Sequence, residues 1–390
     1  MACYISTKQN RFYAALESSY GTVAAVTAAD RFTGVSLKIQ HEQERPKRRD
    51  KTGSRSYRGI AGALRARTKY EMSTYLYGRE VGNMPPRFGA LLEAGLGGTP
   101  RVQASGLAVG AIDGTRVSFG QAHGLQPGDA VTLAGEIRFV MTIPDAQSVL
   151  VNAPWTQGQT AGEMTGGAVT YGLAASVPGV SLYDCWSPGA AVQRVLRGTV
   201  VDETQFRVSG DFHELAFSGE AADVLDSASF ETGAGGLTQF PQEPALEDLF
   251  EEPVPGHLGQ AWIGGAPSRV YTLSQARITV KNHIELRGND FGTLLPRCVV
   301  PGEREVLVDL ELYSQDGGVF DELYQAARSR SPVPVMLQLG EQESQLCGVY
   351  VPNLIPVVPE FVDEESRQRW RLQGSIAVGT MEDEIYVAFG

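Results

Sequence analysis

Apolar and polar residues alternate with a period of two in several places along the chain. Val35, Leu37 and Ile39 alternate with Ser36, Lys38 and Gln40. Tyr70, Met72, Thr74 and Leu76 form one face of KYEMSTYLYG, and Val306, Val308, Leu310 and Leu312 form one face of EVLVDLELYS. Trp370 and Leu372 alternate with Arg369 and Arg371, and Ile385, Val387 and Phe389 follow the same rule. Successive side chains of a strand point to opposite faces, so each run predicts a half-buried β-strand. Helical signals are few. PPRFGALLEAGLGG has Pro85 and Pro86 at its start and Gly95 and Gly97 at its end, the polarity of a short helix. GGVFDELYQAARSRSP puts Val319, Leu323 and Ala326–Ala327 on one face and stops before Pro332. The expectation is a mainly β protein with short flanking helices.

The predicted elements recur in the same order. The first half runs strand Val35–Ile39, long polar loop, strand Tyr70–Leu76, helix Phe88–Ala94. The second runs strand Ile278–Ile284, a loop through GNDFGTLLPRCVVPGE, strand Val306–Leu312, helix Val319–Ala327. TQFRVSG and RWRLQGS read as later strands of the two halves, and the spacing between helix and later strand is longer in the first. Residues 102–170, rich in glycine and short strands, account for the excess as a small all-β module inserted in a loop, where insertions are tolerated. The duplication gives these expected boundaries: a discontinuous first domain (1–101 and 171–240), the insert (102–170), an acidic proline-rich linker (241–257, PQEPALEDLFEEPVPGH) and a second domain (258–390).

The 390 residues are enough for two or three domains of ordinary size. No apolar stretch approaches the roughly 20 residues of a membrane helix, and MACYISTKQNRFYAAL lacks the build of a secretory signal. The formal net charge is −12, unevenly spread. Arg45, Lys47, Arg48, Arg49, Lys51, Arg55, Arg58, Arg65, Arg67 and Lys69 are opposed within their segment only by Asp50, so an otherwise acidic body carries one basic arm. The arm reads as a solvated loop, as a nucleic-acid contact with only Tyr57 and Tyr70 to stack on bases, or as a cationic segment docking on the acidic body of an identical neighbour. A head-to-tail contact of that last kind, if it does not close, builds a filament.

Catalytic chemistry is sought and not found. His41, His123, His213, His257 and His283 are scattered, and none forms an HxH or HExxH pair. His123 in HGLQPGD reads as a turn residue. Cys3, Cys185, Cys298 and Cys347 form no CxxC pair, and Cys185 beside Trp186 reads as a buried structural thiol. There is no nucleophile elbow and no phosphate loop, and the glycines of GLGG and GAGG lack dinucleotide spacing. Neither an enzyme nor a cofactor or metal protein is expected.

ALESSYGTVAAVTAADRFTGVSLKI, the polar loop after it, GALLEAGLGG, and VSLYDCWSPGAAVQRVLRGTVVDETQFRVSGDFHELAFSGEA resemble siphophage major tail tube proteins. The second half resembles a divergent second copy. The resemblance covers about residues 10–100 and 170–390 and leaves the insert outside. It implies two tail-tube-type β-sandwich domains per chain, with inner strands joining between neighbours into one barrel. It further implies rings stacked into a hollow tail, with genomic DNA and a tape measure protein in the lumen and tail terminator and distal tail proteins at the ends. The chain would belong to the virion and be assembled in the bacterial cytoplasm, with no membrane partner. Two domains per chain imply homotrimeric, pseudo-sixfold rings, with a homohexamer as the alternative. The loop after the first strands reaches the next ring in such proteins, which assigns Arg45, Lys47, Arg48, Arg49, Lys51, Arg55 and Arg58 to the inter-ring contact. An acidic body suits a wall that DNA must not stick to, and the insert is expected outside. The alternatives are a carbohydrate-binding or adhesive tail component and a single-ring terminator or distal tail protein.

Overall fold

The computed structural model describes residues 4–43, 49–56, 59, 65–79, 85–156, 162–208, 210–249, 251–288, 290–316, 318–364 and 366–390. Arg45, Lys47, Arg48 and Arg58 of the basic arm therefore lie outside the described residues. The fold is mainly β, with 47% strand against 8% helix.

Eight strands form one antiparallel run. In chain order they are β1 (Ser36–Gln43), β2 (Ala66–Tyr75), β3 (Arg194–Val208), β4 (Glu214–Asp226), β5 (Leu273–Lys281), β6 (Glu305–Tyr313), β7 (Glu360–Glu364) and β8 (Arg367–Ala377). Across the sheet they lie in the order β1-β2-β4-β3-β5-β6-β8-β7. The period-two runs explain the hairpins. Tyr70 and Met72 of β2, and Val306, Val308, Leu310 and Leu312 of β6, are buried, while the residues between them reach solvent. The strand order also corrects the alignment of the halves. RWRLQGS lies on β8, which pairs with the strand before a helix, as β4 does in the first half. Thr204–Val208 of TQFRVSG lie on β3, so the counterpart of that strand is β7.

The helices are α1 (Gly89–Leu96) and α2 (Gly318–Ser329). Gly97 caps α1 at φ 89°, a left-handed conformation that glycine adopts without steric cost. Gly95 has a different task. A Cβ there would stand 2.1 Å from Thr204 Oγ1, so the missing side chain lets α1 lie against β3.

A second layer packs on the apolar face of the eight-stranded run. One part joins Arg31–Phe32, Arg11–Leu16, Val180–Cys185 and the first half of β3. The other runs Arg101–Gln103, Ala168–Tyr171, Tyr386–Phe389, Cys347–Ile355, Val333–Leu339, Gly259–Ile263 and Ser268–Val270. The ends of the expected insert (102–170) belong to this layer: Val102 and Gln103 pair with Val169 and Ala168, which shortens the insert to the residues between these strands. Ala168–Tyr171 then pairs with Tyr386–Phe389 of the second half, so the halves interlock. One apolar core spans both and includes Met72, Leu91, Leu182, Phe206, Phe217, Ile278, Leu310, Leu323, Leu337, Val349 and Leu372.

The insert forms a separate five-stranded sheet, ordered Val109–Asp113, Arg116–Phe119, Ser148–Val151, Glu136–Asp145, Ala130–Leu133. It has its own core of Val117, Phe119, Val131, Val140 and Val149. It is also docked. Ala261, Val335, Leu337 and Val349 of the second layer face the main core, while Trp262, Met336 and Tyr350 on its other face pack with Ile137 and Phe139 of the insert. The layers thus run eight-stranded sheet, second layer, insert.

The acidic linker is packed rather than free. Glu243 accepts hydrogen bonds from Arg11 and Tyr13, and Glu251 lies 3.9 Å from Arg87. The Val254 amide donates to Leu76 O at 2.8 Å, and the Leu76 amide donates to His213 O at 2.8 Å. His213 is buried here, which pulls its pKa down to about 4, with nearby His257 acting in the same direction. The unfolded chain takes up this proton near the ordinary value of about 6.5, well before the folded chain does. Stability contributed above that value is therefore lost as pH falls towards 4. The fold should lose about 2 kcal/mol from this group between pH 7 and pH 5. Denaturant titrations of wild type and His213→Leu at both pH values check this, because the variant should lack that part of the slope.

Candidate assembly interface

The eight-stranded sheet divides into two like units, β1-β2-β4-β3 and β5-β6-β8-β7. In each, the first two strands form a hairpin with a long loop, the second strand leads to a helix, and a later hairpin completes the unit. The units meet edge to edge. Glu203 pairs with Lys281, Gln205 with Thr279 and Phe206 with Ile278. Buried Asn282 clips the joint, donating to Gly95 O at 2.8 Å and Val201 O at 3.0 Å, while Asp202 O accepts from its amide at 2.8 Å. Among the described residues β1 pairs only with β2, and β7 only with β8. An unpaired edge offers a row of N–H and C=O groups to another strand.

The outer face of the sheet is polar and charge-matched. Lys38 pairs with Glu71 at 3.1 Å, Arg67 with Glu220, Arg207 with Glu214 at 3.6 Å and Lys281 with Glu203 at 3.8 Å. Glu311 receives both Arg369 at 2.7 Å and Arg371 at 2.9 Å. The acid surplus of the chain is thus not concentrated on this face. Each of these six cations lies within 4 Å of a carboxylate on a neighbouring strand.

Both long loops leave the same end of the sheet, after Gln43 in the first unit and after Lys281 in the second. Arg49, Lys51 and Arg55 are described and exposed. Arg65 Nη2 donates to Asp290 O at 3.3 Å, so the base of the first loop touches the second. The second loop differs in chemistry: Phe291 is fully exposed and Leu294 half-exposed.

The chemical candidates of the sequence are not brought together. Among the described residues no group of three or more His, Cys, Asp or Glu is placed to hold a metal ion. His123 holds its turn, its Nδ1 accepting from the Leu125 amide at 2.9 Å. Burial pushes the Cys185 thiol up to about 12, which makes it a poor nucleophile. No helix among the described residues is long and apolar enough to cross a membrane. What the sequence did not reveal is the joint itself, because β3 and β5 are far apart in the chain and neither carries a motif for the other. No protein-family model and no curated protein matches the chain.

Proposed function

We propose that the chain is the tube-forming structural protein of a long, non-contractile phage tail, three copies closing each ring and rings stacking head to tail. The observation that carries this reading is the pair of like four-stranded units joined edge to edge, with both outer edges unpaired among the described residues. A contact that joins two units within a chain can be repeated between chains, and a repeated head-to-tail contact closes a ring when its rotation permits. Three chains would supply a barrel of about 24 strands, roughly 45–50 Å across at the backbone by strand spacing and tilt. That lumen has room for duplex DNA and a tape measure protein.

The layer order supports the same assignment. With the polar face inward, the insert becomes the outermost layer. Free cations on a luminal wall would bind phosphates and release counterions, and the ion pairs of this face suppress such adhesion. The loops, all leaving one end, would meet the next ring, the first through Arg45, Lys47, Arg48, Arg49, Lys51, Arg55 and Arg58. Terminator and distal tail proteins would bound the stack in a virion assembled in the host cytoplasm.

Electron microscopy of the purified chain and of tails containing it tests the reading by counting subunits. Stacked rings of three chains are expected. Six chains per ring would keep the tube and remove the pseudo-sixfold arrangement. Single unstacked rings in the virion would assign the chain to a tail end instead. Reversing Arg48 and Arg49 to glutamate should shorten or abolish tubes while the circular dichroism spectrum and melting temperature stay those of wild type. Tubes of normal length from the double variant would refute the arm contact.

A further inference from the structure

We infer that neighbouring copies join through a defined strand seam, β7 of one chain pairing antiparallel with β1 of the next, with Glu360 opposite Gln40, Phe361 opposite Ile39 and Val362 opposite Lys38. The inference rests on the ring reading above and adds the surface, the partner strand and the register.

The register follows from the joint already present within the chain. Ser36–Ser73 is the first pair of the β1–β2 hairpin, and Gln275–Glu311 is the first regular pair of the β5–β6 hairpin after its irregularity. Both pairs lie on the polar face, and both hairpins then run six or seven residues to their loops. Matching Ser36 with Gln275 makes Thr279 the counterpart of Gln40. Across the first unit, Ser73 lies opposite Ala216, which lies opposite Gln205. Across the second, Glu311 lies opposite Arg371, which lies opposite Glu360. Glu360 is therefore the counterpart of Gln205. Within the chain Gln205 faces Thr279, so between chains Glu360 faces Gln40.

The side chains on the two edges suit this register. Phe361 packs tilted against Trp370 and stacks on Tyr324, with ring centroids 5.4 and 6.2 Å away, yet it is 50% exposed because no described strand lies beyond it. Ile39 and Leu37 line the inner face of β1 and are only partly buried. Placing Ile39 opposite Phe361 covers both with an aromatic–β-branched pair, a favourable cross-strand combination. On the polar face, Glu360 comes diagonal to Lys38. Neither SLKIQHEQ nor EFVDE contains a proline to block pairing. The occupant is a second copy of this chain, because β1 repeats the place of β5 in its unit and no other edge among the described residues does so.

Cysteine cross-linking tests the seam. Lys38→Cys/Val362→Cys and, separately, Gln40→Cys/Glu360→Cys are introduced into the full chain, assembled, and treated with a mild oxidant. Either pair should shift the chain from monomer to covalent trimer on a non-reducing denaturing gel. The four single variants should stay monomeric. So should Leu37→Cys/Val362→Cys, whose side chains fall on opposite faces in this register. Rings visible by microscopy without either cross-link, or with the Leu37/Val362 pair cross-linked instead, overturn the seam and leave the ring reading standing. A wild-type chain that forms no ring in cells or in concentrated solution overturns the ring reading, and the seam with it.

Discussion

Replacing Arg138 with methionine should lower the stability of the folded chain by about 3–5 kcal/mol, because it leaves the Glu136 carboxylate buried without its cation. Arg138 is completely buried and Glu136 nearly so, 3.0 Å apart. The guanidinium donates to Pro154 O at 3.1 Å, to Ile137 O at 2.8 Å, and to the side-chain oxygens of Gln338 and Gln260 at 3.0 Å each. It lies 5.2 Å from the ring centres of both Trp155 and Trp262. Burial pulls its pKa down to about 10, with Glu136 favouring the charge, so it stays a cation at neutral pH. These partners belong to the insert and to two strands of the second layer, so the arginine holds one to the other. Equilibrium denaturation measures the effect, and limited proteolysis should show the insert cut first in the variant. The double variant Arg138→Met/Glu136→Leu should recover much of the loss, since apolar replacement of both partners removes the desolvation cost with the pair. A single variant within 1 kcal/mol of wild type would mean that the insert is held by its apolar contacts alone.

The hub shows why part of the molecule was illegible in the sequence. In EIRFV all five residues from Glu136 to Val140 are buried, because the insert covers one face of the strand and the second layer covers the other. Glu136, Ile137, Arg138 and Phe139 still alternate polar and apolar, the pattern of a strand with one wet face, so nothing in the pattern places Arg138 inside. Its only signal was an arginine between Ile137 and Phe139, which is not enough to name a partner. The hairpins β1–β2 and β5–β6 were legible for the opposite reason. One face of each meets water, and Tyr70, Met72, Val306 and Val308 mark the other. The first helix was legible through Pro85, Pro86 and Gly97, residues whose backbone geometry fixes where a helix starts and stops. Assigning TQFRVSG to the wrong partner was an error of topology. Strand pattern reports which residues face the core, and it is silent on which strand lies alongside. The seam between the units was hidden for that reason too, since backbone hydrogen bonds make the joint and side chains only tune it.

Replacing Phe206 with alanine should also cost about 3–5 kcal/mol, and its consequence should reach beyond the first half. Phe206 is fully buried in the core common to both halves and sits in the joint opposite Ile278. Its ring fills space that the surrounding sheet cannot close by shifting, because β3 is hydrogen-bonded on both sides, to β4 and to β5. The cavity therefore weakens contacts on both sides of the joint. With one core and interlocked strands, the body of wild type should unfold in a single calorimetric transition. In the variant the same transition should move down in temperature, with both halves losing hydrogen-exchange protection together. Gln205→Ala, one residue away on the polar face, is the control and should stay within about 0.5 kcal/mol of wild type. If Phe206→Ala instead splits the transition, with residues after 258 melting separately at the wild-type temperature, the joint is a contact between independent domains. A rigid eight-stranded unit is what a barrel wall needs, so such a split would also weaken the tube assignment.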